Sequence, residues 1–95
     1  MIFRLYFSER ARPEIQNAYD YYEEQQQGLG EKFLSVLDNA FERITEYPFS
    51  FPQKRGTFRE HYVGKFPFLI VYKVKGKNIY IHAVFHTSRN PRMKK

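Results

Sequence analysis

The stretch AVFHTSRNPRMKK, residues 83–95, concentrates the groups of this chain best suited to chemistry. His86 titrates near neutral pH and can carry a proton. Thr87 and Ser88 bring hydroxyls, Asn90-Pro91 turns the chain, and Arg89, Arg92, Lys94 and Lys95 supply positive charge. Upstream lie the basic loop pair Lys54-Arg55, and Arg59 and Lys73 on strand-like segments. Guanidinium groups bind phosphate in a two-pronged way, so Arg59 and Arg89 suit a phosphate clamp. Such a set grips a polyanion, and with His86 as proton carrier it has parts for cutting one. Taken singly, the same residues read as solubilising charges and a strand end; shared geometry separates the two readings.

The charge pattern favours gripping. The net charge is +6, but residues 1–46 carry five Lys/Arg against nine Asp/Glu, whereas residues 47–95 carry eleven against Glu60 alone. A polycationic half attracts nucleic acid, an acidic protein or an anionic membrane and speeds encounter with any of them. Without cysteine there is no thiolate nucleophile, zinc-thiolate site or disulfide, which fits a reducing compartment. His61, His82 and His86 have no carboxylate or thiolate grouped with them, so no metal site is expected. No glycine-rich phosphate loop or Ser-His-Asp arrangement is present, and no cofactor is expected. The N-terminal MIFRLYFSER is interrupted by Arg4 and far too short to cross a bilayer, so a soluble, cytoplasmic protein without membrane partners is expected.

Ninety-five residues predict one domain, 1–95, with one core to which eight Tyr and ten Phe contribute large buried areas. IFRLYF, residues 2–7, reads as a strand. Ile15, Ala18, Tyr19 and Tyr22 recur at helical spacing from about Arg12, with Pro13 tolerated in the first turn. Gly28 and Gly30 punctuate, and a second helix over about 31–46 carries Phe33, Leu37, Ala40, Phe41 and Ile44 on one face until Pro48. The short connection folds the two helices into an antiparallel hairpin. Alternation then predicts strands over about 57–63, 68–75 and 78–85, the last two joined by a tight turn at Lys75-Gly76-Lys77. The expected fold is α+β, order β-α-α-β-β-β: a helical hairpin on one face of a mainly antiparallel four-stranded sheet. Ile79, Ile81, Ala83 and Phe85 are expected to face the helices, and Arg59, His61, Lys73, Lys75, His82 and His86 the opposite side. Tyr19 and Tyr22 read as core, leaving Tyr21 for partners, while Phe49 and Phe51 suit either a partner contact or core closure.

This framework resembles a known family. The first strand, the helix with Ala18-Tyr19 and Tyr21-Tyr22, the GLGEKFL start of helix two, Tyr47-Pro48, Phe58-Arg59-Glu60, PFLIVYKV and AVFHTSRNP are together similar to the RelE/ParE superfamily of plasmid-stabilisation toxins from type II toxin–antitoxin systems. The resemblance implies a growth-inhibiting bacterial toxin neutralised by a cognate antitoxin. Two activities recur in the superfamily: ribosome-dependent mRNA cleavage and binding of DNA gyrase without hydrolysis.

Cleavage would need no metal, since the RNA 2′-hydroxyl can attack the scissile phosphate. Arg59, His86 and Arg89 would then be catalytic; Lys54, Arg55, Arg59, Lys73, Arg89 and Arg92 would bind nucleic acid or another target under either activity. Cleaving relatives usually carry an arginine where this chain has Phe68-Leu69, and many carry a tyrosine near the C-terminus, whereas the last tyrosine here is Tyr80. The expectation is therefore a ParE-like, gyrase-binding toxin. An mRNA endoribonuclease is the alternative, and a non-toxic RNA- or protein-binding module the second.

Overall fold

The structure, a computed structural model, describes residues 3–87. Its elements are β1 (Arg4–Phe7), α1 (Ala11–Gln25), α2 (Leu29–Glu46), β2 (Gln53–Arg55), β3 (Phe58–Tyr62), β4 (Phe68–Lys75) and β5 (Asn78–His86). Among the described residues the strands form one sheet in the order β1-β5-β4-β3-β2. β1 runs parallel to β5, and every other pairing is antiparallel. The expected α+β class is what the chain adopts, with a fifth strand added. β2 is three residues long and exposed throughout, so it carries no alternation to read. Its hairpin with β3 turns at Gly56, whose φ of 58° favours glycine, and Gly76 does the same between β4 and β5 at φ 62°.

The helical hairpin is tied at its turn. Gly28, at φ 89°, starts α2, and the Glu23 carboxylate on α1 accepts hydrogen bonds from the Gly28 and Gly30 amides, both at 2.9 Å. Two amide hydrogens that lack helical partners are thus satisfied from the neighbouring helix. Gly30 is not punctuation, as its spacing suggested, but a buried first-turn residue: a Cβ there would sit 2.6 Å from the Tyr19 ring. The core lies between this hairpin and the sheet, centred on Tyr22, Phe33 and Phe68, with the Phe33 and Phe68 rings 4.8 Å apart.

One irregularity re-aims the last strand. Val71 pairs with Ala83 and Tyr72 with Ile81, so His82 is an extra residue on β5. Beyond it the alternation inverts. Val84 joins the main core, whereas Ala83 and Phe85, expected there, form a second cluster with Val71 on the sheet's other face. β1 ends alongside this bulge, and α1 covers the exposed edge of β5. Ser8 Oγ donates to the His82 carbonyl at 2.7 Å, and the Glu14 carboxylate accepts from the Val84 amide at 2.8 Å.

Candidate target-binding face

The sheet surface away from the helices is concave and chemically mixed. Alternation along β3 sends Phe58 and Glu60 to it, β4 sends Val71 and Lys73, and β1 and β5 send Tyr6 and Tyr80, which stack at 5.5 Å. The His82 ring is tilted against Phe58 at 4.9 Å, and the Lys73 ammonium sits 5.6 Å from the same ring. On the far side of Phe58, a hollow of about 480 Å³ is lined by Arg10, Arg55, Phe58, Glu60, Val71, His82 and Phe85. A smaller one, about 150 Å³, opens between Tyr6, Phe58, Lys73 and Tyr80. Arg10, held by a 2.8 Å ion pair to Glu14, lies 5.6 Å over the Phe85 ring and forms one wall. Aromatic planes beside cations, over an apolar floor, suit stacking and charge pairing with a large anionic partner.

The structure gathers some of the expected site residues and disperses others. Lys73 and Arg55 lie on this face, and Lys54 is exposed on β2 beside Arg55. Arg59 does not. It pairs with Tyr72 on the helix-covered side, donates from one guanidinium nitrogen to the carbonyls of Phe51 at 2.7 Å and Phe49 at 3.3 Å, and lies over the Phe49 ring. His86 pairs with Phe68, whose ring it meets at 5.1 Å, also on the helix-covered side. Tyr72 and Phe68 are four residues apart on β4, and Arg59 and His86 lie on the two strands flanking it, so they are separated by about 13 Å along the strands and by two strand spacings across them. His61 pairs with Ile70 and is buried on that same side, so the three histidines do not share a face. The expected display of Arg59, His61 and His86 on the open face is thus corrected; Lys73, Lys75 and His82 remain there. Arg89 and Arg92 lie outside the described residues.

A family model described as the ParE toxin of type II toxin–antitoxin system, parDE, matches residues 5–91. The chain belongs to the ParE toxin family. Among solved structures, a chain of the chromosomal ParDE toxin–antitoxin system from P. aeruginosa superposes with a TM-score of 0.67 at 21% identity, covering 90% of this chain and 96% of that one. At that identity it attests the fold. No curated protein matches the sequence. In this ParE-family chain no described helix is long and apolar enough to cross a membrane.

Several residues of the open face of this ParE-family toxin carried no signal that linear reading could isolate. Arg10 comes from the start of α1, and Phe58 and Tyr80 read as ordinary strand aromatics. Tyr6 stands alone on a strand of four residues. The register that brings Tyr6 to Tyr80 joins two segments that are distant in sequence, and no local pattern encodes it.

Proposed function

We propose that this ParE-family protein is the growth-inhibiting component of a type II toxin–antitoxin pair, acting in the cytoplasm by binding DNA gyrase through its open sheet face and neutralised by a cognate antitoxin. The observation that carries this reading is the family match across residues 5–91. The placement of Arg59 and His86 supports binding over cleavage. One is spent holding a loop and the other faces the core, so neither meets a substrate on the open face.

For the antitoxin, β1 offers an edge with no strand on its outer side among the described residues, and beside it Phe7, Ile15, Leu34, Leu37 and Phe41 line a largely apolar groove of about 360 Å³. An extended segment adding to the edge and a helix laid in the groove both suit these surfaces. Tyr47 and Phe49, each 61% exposed, add an aromatic patch of the kind protein partners cover.

A second reading, mRNA cleavage on the ribosome, draws on one observation: Glu60 and His82 line the same hollow as Arg10 and Arg55, which brings acid–base groups beside phosphate-binding ones. One experiment separates the readings. Induction of the chain alone should arrest growth, restored by co-expression of the antitoxin, with DNA breaks and without codon-positioned mRNA cuts. Equal growth with and without induction, despite folded soluble protein, would defeat the toxin reading. Cuts without DNA damage would replace gyrase by mRNA.

A further inference from the structure

Between α2 and the helix-facing side of β3 lies a hollow of about 230 Å³, on the opposite side of the sheet from the open face. Asn39 and Arg43, one helical turn apart on α2, bring their side chains to it. His61 lies against it from β3, and Lys65 reaches it from the turn that follows. Three observations set it apart. His61 is 8% exposed, and its Nε2 is sealed from solvent with no hydrogen-bond partner. Buried polar atoms are nearly always paired, so an orphan of this kind needs an explanation. Arg43 and Lys65 are exposed cations without an ion pair; among the described residues that interaction joins only Arg10 and Glu14. Among the described residues no carboxylate lines the hollow. Asp38 lines the groove on the other side of α2, and Glu42 is turned about 100° from Arg43 around the helix.

We propose that this hollow binds a phosphate group, with Arg43 and Lys65 as charge partners, Asn39 as a neutral donor, and His61 beneath them as the group that responds to occupancy. The guanidinium fork suits phosphate, and two unopposed cations match its charge. The volume exceeds that of a bare phosphate and leaves room for an attached sugar. The phosphate can therefore come from a nucleic-acid backbone or from a free anion, and the two share this chemistry. Burial and the Arg43 charge hold the His61 pKa below its ordinary value, keeping the ring neutral. The groups around the ring are Arg43 from α2, Lys65 from the turn, Phe51 tilted against it with ring centroids 4.2 Å apart, and Ile70 paired with it on β4. A phosphate beside Arg43 offsets the described charge that adds to burial in depressing His61, so His61 becomes easier to protonate, and a phosphodiester, whose own charge is constant over this range, binds more tightly as pH falls.

The site does not depend on the toxin reading, because it shares no residue with the open face. The test is an NMR titration of the full chain with sodium phosphate, against sodium chloride at equal ionic strength, following the His61 ring and the amides of Asn39, Arg43 and Lys65. The expected result is a saturable shift of those signals together with a rise in the His61 pKa. Arg43→Gln combined with Lys65→Gln should weaken binding by roughly tenfold or more, while Lys32→Gln on the same helix leaves it unchanged. A parallel titration with a short single-stranded oligonucleotide assigns the source: the same signals shift if backbone phosphates occupy the hollow, and only inorganic phosphate moves them if a free anion does. Shifts no larger than those in chloride, or unchanged binding by the folded double variant, would overturn the proposal.

Discussion

Tyr72 has no solvent exposure, and its hydroxyl donates to the buried Pro48 carbonyl at 2.8 Å. Together with Arg59 it fixes the loop that follows α2. Tyr72→Phe should therefore cost about 1 kcal/mol in chemical denaturation, the net worth of one hydrogen bond, with little change in packing. Burial also pushes the Tyr72 phenol up to about 12, against an ordinary 10.0, despite an opposing contribution from Arg59. Above pH 10 the unfolded chain ionises first. The stability contributed by Tyr72 is therefore present below that value and declines as pH rises toward 12. His61 has the opposite sense. Its folded pKa lies below the ordinary 6.5, so the unfolded chain takes up the proton first as pH falls. Stability should drop as pH falls below about 6.5, and His61→Phe should flatten that part of a stability–pH curve. Neither behaviour was legible in the sequence, where His61 appeared on the solvent side and Tyr72 as one more alternating aromatic. Burial and partners are set by which face a strand turns to the helices.

At the scale of elements, both helices, the β4–β5 hairpin and the alternation of β4 could be read because each is a local, periodic pattern. The face of β5 could not. The bulge at His82 shifts register by one residue and exchanges the fates of Ala83 and Val84, and both are apolar, so the linear pattern looks the same either way. What fixes the bulge is long-range: Glu14 on α1 accepts from the Val84 amide while pairing with Arg10. Glu14→Ala should leave that amide unpaired and cost roughly 1–3 kcal/mol, whereas Glu14→Gln, whose amide oxygen can still accept, should cost less. Equilibrium unfolding of the two variants measures the difference. In the hairpin, Gly30→Ala would bring a methyl 2.6 Å from the Tyr19 ring, which is itself held by a 2.9 Å hydrogen bond from its hydroxyl to Glu31. Overpacking of roughly 1–3 kcal/mol should outweigh the gain of about 1 kcal/mol that alanine normally brings to a helix, giving a lower melting temperature.

Over the whole molecule, the charge asymmetry of the sequence becomes a spatial one. The acidic first half supplies β1 and both helices, and the basic second half supplies the remaining strands. An acidic layer thus backs a basic sheet. This segregation was the most informative global feature of the sequence, because charge sums survive any error in register. What it could not supply was which cations stand together: Arg10 crosses from the acidic half to the open face, and Arg59 leaves it. Reversing Arg55 and Lys73 to glutamate should slow association with an anionic target by about tenfold or more at low salt, with the difference shrinking as salt rises. Surface-binding kinetics across a salt series, with folding checked by circular dichroism, would measure this.

The parallel pairing of β1 with β5 also orders events in time. Arg4 to Phe7 can find their partners only when Asn78 to Ile81 have been synthesised, long after β1 itself. A nascent chain on the ribosome can form the helical hairpin early, but β1 waits for β5, which follows both helices. Pairing across such a separation is slow compared with local helix formation. The sheet face proposed to do harm is therefore completed late, since Tyr6 and Tyr80 come together only in that closing step. During synthesis both edges that β1 and β5 later share are open, which gives a partner produced alongside this chain an interval in which to reach it before it is finished.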